Sequence, residues 1–78
     1  MTSETFAKIH QKRPFQPFAI NMADGRQFMV EHPEVLAYRV GGRMAVLLTR
    51  DGSFEHIDLL LVTSVTELPR RGNRRRSA

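Results

Sequence analysis

The sequence FAINMADGRQFMV, residues 18–30, decides the fold class of this chain. Apolar side chains alternate with small or polar ones on both sides of the Asp24-Gly25 pair. Such alternation is typical of a half-buried strand, and an Asp-Gly pair accepts the positive φ that a tight hairpin needs. The stretch therefore predicts two antiparallel strands, with Met29 on the outer face, where an apolar side chain indicates a contact surface.

Two further residue pairs that contain glycine follow at near-even spacing. Gly41-Gly42 and Asp51-Gly52 each lie between segments rich in apolar residues. Regularly spaced turns predict an antiparallel meander, the raw material of a small β-barrel. Residues 44–49 are nearly all apolar, so we expect them to form the most buried strand. The long strand before Gly41 should bend at His32-Pro33, because proline cannot donate to a ladder.

A short helix is predicted before the first strand. Residues 3–12 suit a helix with Ser3 as its N-cap, and Pro14 terminates it. Between helix and strand, Phe15 and Phe18 lie three residues apart in a Pro-rich segment, so they point the same way. We expect them to plug the end of the barrel beneath the helix, or to serve as a ligand for an aromatic groove of another protein.

The leucines at residues 59–61 interrupt the strand pattern near the other end of the chain. Asp58 before them can cap a short helical turn, because its carboxylate can accept from a free backbone N–H. We expect this turn to hide Leu59–Leu61 in the core. Residues 62–68 then predict the last strand, which Pro69 ends.

Size and composition bound the function classes. Seventy-eight residues make at most one domain, which we place at residues 1–69. Without cysteine the chain forms neither a disulfide nor a thiolate zinc site. No apolar run approaches the ~20 residues of a membrane span, and the N-terminus lacks the basic and apolar regions of a secretory signal. We therefore expect a cytoplasmic domain that gains stability by self-association.

The net charge of +4 is carried by the end of the chain. Residues 70–78 hold five arginines and no acid, and the rest of the chain has seven basic and eight acidic side chains. Because this segment has no large apolar residue, we expect a disordered Arg-rich tail. Such a tail can bind the phosphate backbone of RNA, and it can equally be only a solubilising end.

The order of these elements resembles that of the Sm-like (LSm) family, in particular its Hfq-like bacterial RNA chaperones. The similarity covers residues 3–68. Asp24-Gly25 lies where the family has a polar-Gly turn, residues 44–50 resemble its apolar third strand, and residues 54–61 resemble its fourth strand and connecting turn. The motif RPFQPF at residues 13–18 also resembles a group of small bacterial proteins.

The resemblance implies a fold and an assembly. The fold is mostly β, with a short N-terminal α-helix followed by a strongly bent five-stranded antiparallel Sm-like or SH3-like barrel. The assembly is a homo-oligomer, such as a ring formed by edge pairing of neighbouring subunits, with single-stranded RNA as a partner. Phe28-Met29-Val30 replaces the family's second-strand glycine and its Tyr-Lys-His signature is absent, so His56 is the one site residue carried over.

The residue types that perform catalysis are scattered along the chain. His10, His32 and His56 fall on a helix, a bend and a strand, and none has the spacing of a helical metal pair. The serines lie at a cap, a turn, a strand and the tail, and none lies in a nucleophile elbow. The sequence therefore predicts a protein that is not an enzyme, with no cofactor and no metal.

The candidate binding residues are basic and aromatic side chains near turns, in one strand and in the tail. Arginines beside turns can line one rim of a barrel and a tyrosine can stack on a base, but they can also be solvated loop ends and a half-buried strand residue. The candidates for nucleic-acid binding are Arg26, Tyr38, Arg39, Arg43, His56, Arg70, Arg71, Arg74, Arg75 and Arg76.

Two functions remain open from the sequence. The first is an oligomeric RNA-binding, RNA-chaperone-like module, which the basic tail and the resemblance favour. The second is a protein-interaction or structural module with no nucleic-acid role and no membrane partner, which the near-neutral body favours.

Overall fold

The computed structural model describes residues 1–69, which form one short helix and six strands. The helix precedes all the strands, and two single 3₁₀ turns interrupt them, at Pro33–Val35 and at Leu59–Leu61. The elements are α1 (Ser3–His10), β1 (Phe18–Met22), β2 (Gln27–Val30), β3 (Leu36–Tyr38), β4 (Met44–Leu48), β5 (Phe54–Asp58) and β6 (Val62–Glu67). The predicted mostly β fold with an N-terminal helix is confirmed.

The strands form two antiparallel sheets of three strands each. The first sheet has the order β2–β1–β6 and the second sheet has the order β3–β4–β5. The structure has six strands where the sequence predicted five, because the 3₁₀ turn Pro33–Val35 divides the long strand expected before Gly41. Pro33 favours this division since it has no N–H to give to a ladder. Within residues 1–69 the two sheets do not join into one closed barrel.

The N-cap of the helix lies one residue earlier than predicted. Thr2, not Ser3, is the N-cap, and its hydroxyl accepts from the N–H of Thr5. Ser3 is buried inside the first turn, where its Oγ accepts from the N–H of Gly41 at 2.7 Å. The helix ends at His10 rather than at residue 12. The Ser3 hydroxyl thus fastens α1 to the loop between β3 and β4.

Both sheets and the helix bury apolar side chains in one shared core. The most deeply buried large side chains are Phe6, Phe18, Ile20, Val30, Leu47, Ile57 and Leu59. Phe6 of α1 lies edge-on to Phe18 of β1, with ring centroids 6.0 Å apart. The ring centroid of Phe15 lies 6.0 Å from that of Phe18. Phe15 packs against the same core, as expected for a plug beneath the helix.

The most buried strand is β1, not β4 as the sequence predicted. Even the outward side of β1 is covered at Ala19, which is small and lies between Met29 and Thr66 on the neighbouring strands. In β4, by contrast, buried and exposed positions alternate. The apolar run at residues 44–49 predicts the most buried strand, but one face of β4 is open.

The three leucines at the second 3₁₀ turn do not share one environment. Asp58 caps this turn as predicted, because its carboxylate accepts from the N–H of Leu60 at 3.0 Å. Leu59 enters the core and is 1% exposed, whereas Leu60 is 65% exposed and Leu61 is 52% exposed. The prediction that all three are hidden is wrong, because a single turn directs successive side chains to different sides.

The hairpin turns at Asp24-Gly25 and Asp51-Gly52 are confirmed. Gly25 has φ +93° and Gly52 has φ +88°, a backbone region that disfavours residues with a Cβ. In each turn the glycine N–H donates to the carbonyl three residues earlier, at 3.0 Å. The turns predicted from local residue chemistry therefore form where the sequence places them.

The predicted tail at residues 70–78 lies outside the described residues. Of the described part, no helix is long and apolar enough to cross a membrane.

Truncation of Leu59 tests the core. We expect Leu59→Ala to lower the free energy of unfolding by about 2–5 kcal/mol, because it leaves a cavity between the sheets. The matched change Leu60→Ala removes the same atoms from an exposed site and should cost less than about 0.5 kcal/mol. Urea denaturation of the two variants makes the comparison. Equal losses would contradict the orientation of this turn.

Candidate functional site

An apolar cleft of about 400 Å³ lies between the first sheet and the end of β4. We call it the edge cleft. Clefts of this size with apolar walls are common ligand sites in proteins. Its apolar lining consists of Phe28, Met29, Val35, Leu47 and Leu48.

The polar side chains of the edge cleft lie at its rim. Arg50 Nη2 donates to both carboxylate oxygens of Glu31, at 2.5 Å each, and so links the turn after β4 to the end of β2. The Glu31 carboxylate raises the pKa of Arg50. His32 and Thr49 complete the polar lining. The rim therefore carries a neutralised ion pair rather than a net charge.

The edge cleft exists because β2 is an edge strand. The turn Pro33–Val35 takes the chain from the first sheet to the second, so that β4 pairs with β3 and not with β2. Among residues 1–69, no strand pairs with the outer edge of β2. A gap is left between that edge and the end of β4, and the apolar side chains described above line it.

The backbone of β2 offers unpaired groups at this edge. Met22 N–H donates to the carbonyl of Arg26, and the register then pairs Ile20 with Phe28 and Ala19 with Met29. Because hydrogen-bonded and non-hydrogen-bonded pairs alternate in an antiparallel ladder, the N–H and C=O of Gln27 and Met29 point away from β1. These groups face the side on which the cleft opens.

The turn between β4 and β5 shapes one wall of the cleft. Asp51 accepts from the hydroxyls of Thr49 and Ser53 and from the N–H of Ser53. These hydrogen bonds, that of Thr49 first among them, lower the pKa of Asp51 to about 2. The ionised carboxylate thereby holds Thr49 at the rim.

Two of the predicted nucleic-acid residues, Arg26 and Arg43, are held in ion pairs. Arg26 Nε donates to Asp24 at 2.8 Å, and its guanidinium lies 5.5 Å from the ring centroid of Phe28. Arg43 donates to both oxygens of Asp58, at 2.7 Å for the shortest bond. The Asp58 hydrogen bonds raise the pKa of Arg43, and those from Arg43 lower the pKa of Asp58.

Arg26 and Arg43 belong to segments that flank the same 3₁₀ turn. Ala23, in the turn that leads to Arg26, donates to the carbonyl of Leu61, and Leu59 donates to the carbonyl of Arg43, both at 2.8 Å. The two segments thus lie at one end of the fold, as the rim prediction requires. Each guanidinium, however, already binds a carboxylate, so an incoming phosphate would compete with it.

Tyr38, predicted as a base-stacking residue, is part of the packing beneath the helix. His10 Nε2 donates to the carbonyl of Pro33 at 2.8 Å, and its Nδ1 is hydrogen-bonded to the Tyr38 hydroxyl at 2.9 Å. The Tyr38 ring lies edge-on to Phe6, with centroids 5.2 Å apart. Burial raises the pKa of Tyr38. Tyr38 is therefore partly buried and packs against the core.

The remaining predicted residues are dispersed. His56 is exposed on β5, and Arg39 is exposed after β3 without an ion-pair partner among residues 1–69. Arg70, Arg71, Arg74, Arg75 and Arg76 lie outside the described residues. The sequence missed the edge cleft except for the outward-facing Met29, because the gap depends on where the second sheet lies.

The described residues contain few features of a catalytic or metal site. No group of three or more His, Asp or Glu side chains in residues 1–69 is placed to hold a metal ion. In the same part of the chain, every buried side-chain nitrogen and oxygen has a hydrogen-bond partner. The polar groups described above therefore serve ion pairs, caps and turns.

Comparison of the chain with protein-family models, with curated proteins and with solved structures gives no match.

Removal of the Asp51 charge tests the turn that shapes the cleft. The pKa of Asp51 is about 2 in the folded protein, below its ordinary value of 3.8. Its charge therefore stabilises the fold above about pH 4. We expect Asp51→Asn to lower the urea midpoint at pH 7. The difference from the parent should shrink as the pH falls from 4 to 2. An undiminished difference at pH 2 would contradict the role of the charge.

Proposed function

We propose that this protein is a protein-interaction module that binds an extended segment of a partner along the outer edge of β2. The segment adds a strand to the first sheet and places an apolar side chain in the edge cleft. One observation carries the proposal: an apolar cleft opens beside a strand edge whose backbone groups at Gln27 and Met29 have no strand partner among residues 1–69.

An extended peptide suits the edge cleft better than a small apolar molecule. A small molecule could fill the volume between Phe28 and Leu47, but it would leave the backbone of Gln27 and Met29 to water. A peptide strand uses both features, because main-chain hydrogen bonds add affinity and the pocket selects a side chain. The ion pair between Arg50 and Glu31 leaves the rim neutral, so selection rests on shape and apolar contact.

We also propose that the two sheets are the halves of a strongly bent Sm-like or SH3-like barrel, in which β2 and β3 together correspond to one bent strand. Support comes from the shared core of the two sheets and from the single 3₁₀ turn between β2 and β3.

Selection from a phage-displayed library of random peptides tests the interaction proposal. The bait is the full chain with all five tail arginines changed to serine, so that acidic peptides do not enrich by charge alone. We expect enriched peptides to share an apolar residue within an extended stretch. Synthetic copies should shift the amide resonances of Gln27, Met29 and Thr49 in ¹⁵N NMR spectra.

Two lysine substitutions supply the matched comparison for the selected peptide. Met29→Lys places a charge in the cleft and should weaken binding about tenfold. Leu60→Lys places the same charge on an exposed leucine that does not line the cleft, and should leave the affinity unchanged. Equal effects of both variants, or resonance shifts confined to other strands, would overturn the proposal.

RNA binding is the second candidate function, and the five arginines of residues 70–78 favour it. We expect any binding of single-stranded RNA to depend on the tail, because Arg26 and Arg43 are neutralised by carboxylates. Five phosphate contacts would give a log-log salt slope of about −3.5.

A fluorescence titration of a short RNA at two salt concentrations makes this measurement. The parent chain should bind with steep salt dependence, and the variant with five tail serines should not bind. RNA binding that persists in the five-serine variant, and that Arg39→Ser abolishes, would instead support a nucleic-acid site on the body.

A further inference from the structure

The two sheets present outer faces of opposite character. On the first sheet, Asn21 donates to the hydroxyls of Ser64 and Thr66 at 3.0 Å and accepts from the Gln27 amide at 2.8 Å. This polar network spans all three strands and suits contact with water. Among residues 1–69, no such network of polar side chains covers the outer face of the second sheet.

The outer face of the second sheet is apolar. Its side chains come from alternate positions of β4 and β5, where Leu48 pairs with Phe54 and Val46 pairs with His56. Phe54 is 64% exposed and Met44 is 48% exposed, although large apolar side chains of this kind gain from burial. We call the outer side chains of Met44, Val46, Leu48, Phe54 and His56 the sheet face.

From this contrast we infer that a second copy of the chain covers the sheet face, by packing sheet against sheet about a two-fold axis. In a symmetric interface each patch meets itself, so it must be complementary to its own charge. The sheet face meets this condition because the one carboxylate on the same side of the sheet, that of Asp58 opposite Met44, is neutralised by Arg43. A charged partner protein would gain no attraction there.

The area of the sheet face determines the strength of this dimer. Three strands about 4.8 Å apart and five residues of about 3.4 Å each give a footprint of about 14 by 17 Å. Two such footprints amount to about 500 Å² before the relief of the side chains is counted, which is small beside the area of most specific interfaces. We therefore expect a weak dimer, with a dissociation constant of about 100 μM or more.

The sheet face differs from the surface that the proposed function uses. The two surfaces share Leu48, but Phe54 and Met44 do not line the edge cleft, and the β2 edge belongs to the other sheet. Dimerisation through Phe54 and Met44 can therefore be tested separately from peptide binding. It also differs from assembly by strand-edge pairing, which would not depend on outward-facing side chains.

Sedimentation equilibrium of the full chain tests the inference, at concentrations from about 5 to about 500 μM. The parent should change from the monomer mass of 9.0 kDa towards twice that value. Phe54→Lys and Met44→Lys should each raise the dissociation constant at least about tenfold, and the matched variant Leu60→Lys should not. Because these side chains are exposed, circular dichroism should show the same thermal transition for all four proteins.

Cross-linking identifies the face that is in contact. The chain has no cysteine, so His56→Cys on the sheet face and Ser64→Cys on the polar face each introduce a single thiol. Packed sheets lie about 10 Å apart, within reach of a short bismaleimide. We expect covalent dimers from His56→Cys and none from Ser64→Cys. A parent that stays monomeric, equal cross-linking of both variants, or an oligomer that Phe54→Lys leaves intact would overturn the inference.

Discussion

One shared layer of apolar side chains holds this small fold together. Each sheet has only three strands, so neither can bury its inner face without the other, and α1 adds Phe6 at the side of Phe18. The two sheets also depend on hydrogen bonds outside the ladders, since Ser3 ties the helix to Gly41 and His10 ties it to Pro33. A chain of this size needs most of its apolar side chains for the core. The positions of those that lie on the outer surface are therefore informative.

The exposed apolar side chains form two surfaces with different geometry. The edge cleft arises where Pro33 separates β2 from β3, and it combines apolar walls with unpaired backbone groups at Met29. The sheet face consists of outward-facing side chains of β4 and β5, so it suits the apolar face of another sheet. The same constraint, that the two sheets share one core, thus leaves one surface suited to an extended strand and another suited to a second sheet.

Local residue chemistry predicted more of this molecule than long-range contacts did. The turns at Gly25 and Gly52 and the cap at Asp58 follow from a few neighbouring residues, and each forms as expected. The environment of Leu60 and the exposure of Met44 depend on which surfaces the other sheet covers, and periodicity carries no such information. The pairing of Arg43 with Asp58 joins residues 15 positions apart, so an arginine that looked available beside a turn is neutralised.

Hydrogen exchange along β2 tests the central claim most directly, because the claim requires one edge of this strand to be unpaired. The amides of Phe28 and Val30 point towards β1, whereas that of Met29 points away from it. In the isolated monomer, NMR-detected exchange should show strong protection at Phe28 and Val30 and exchange near the unprotected rate at Met29. Equal protection at Phe28 and Met29 would mean that the edge is already occupied, and would contradict the account.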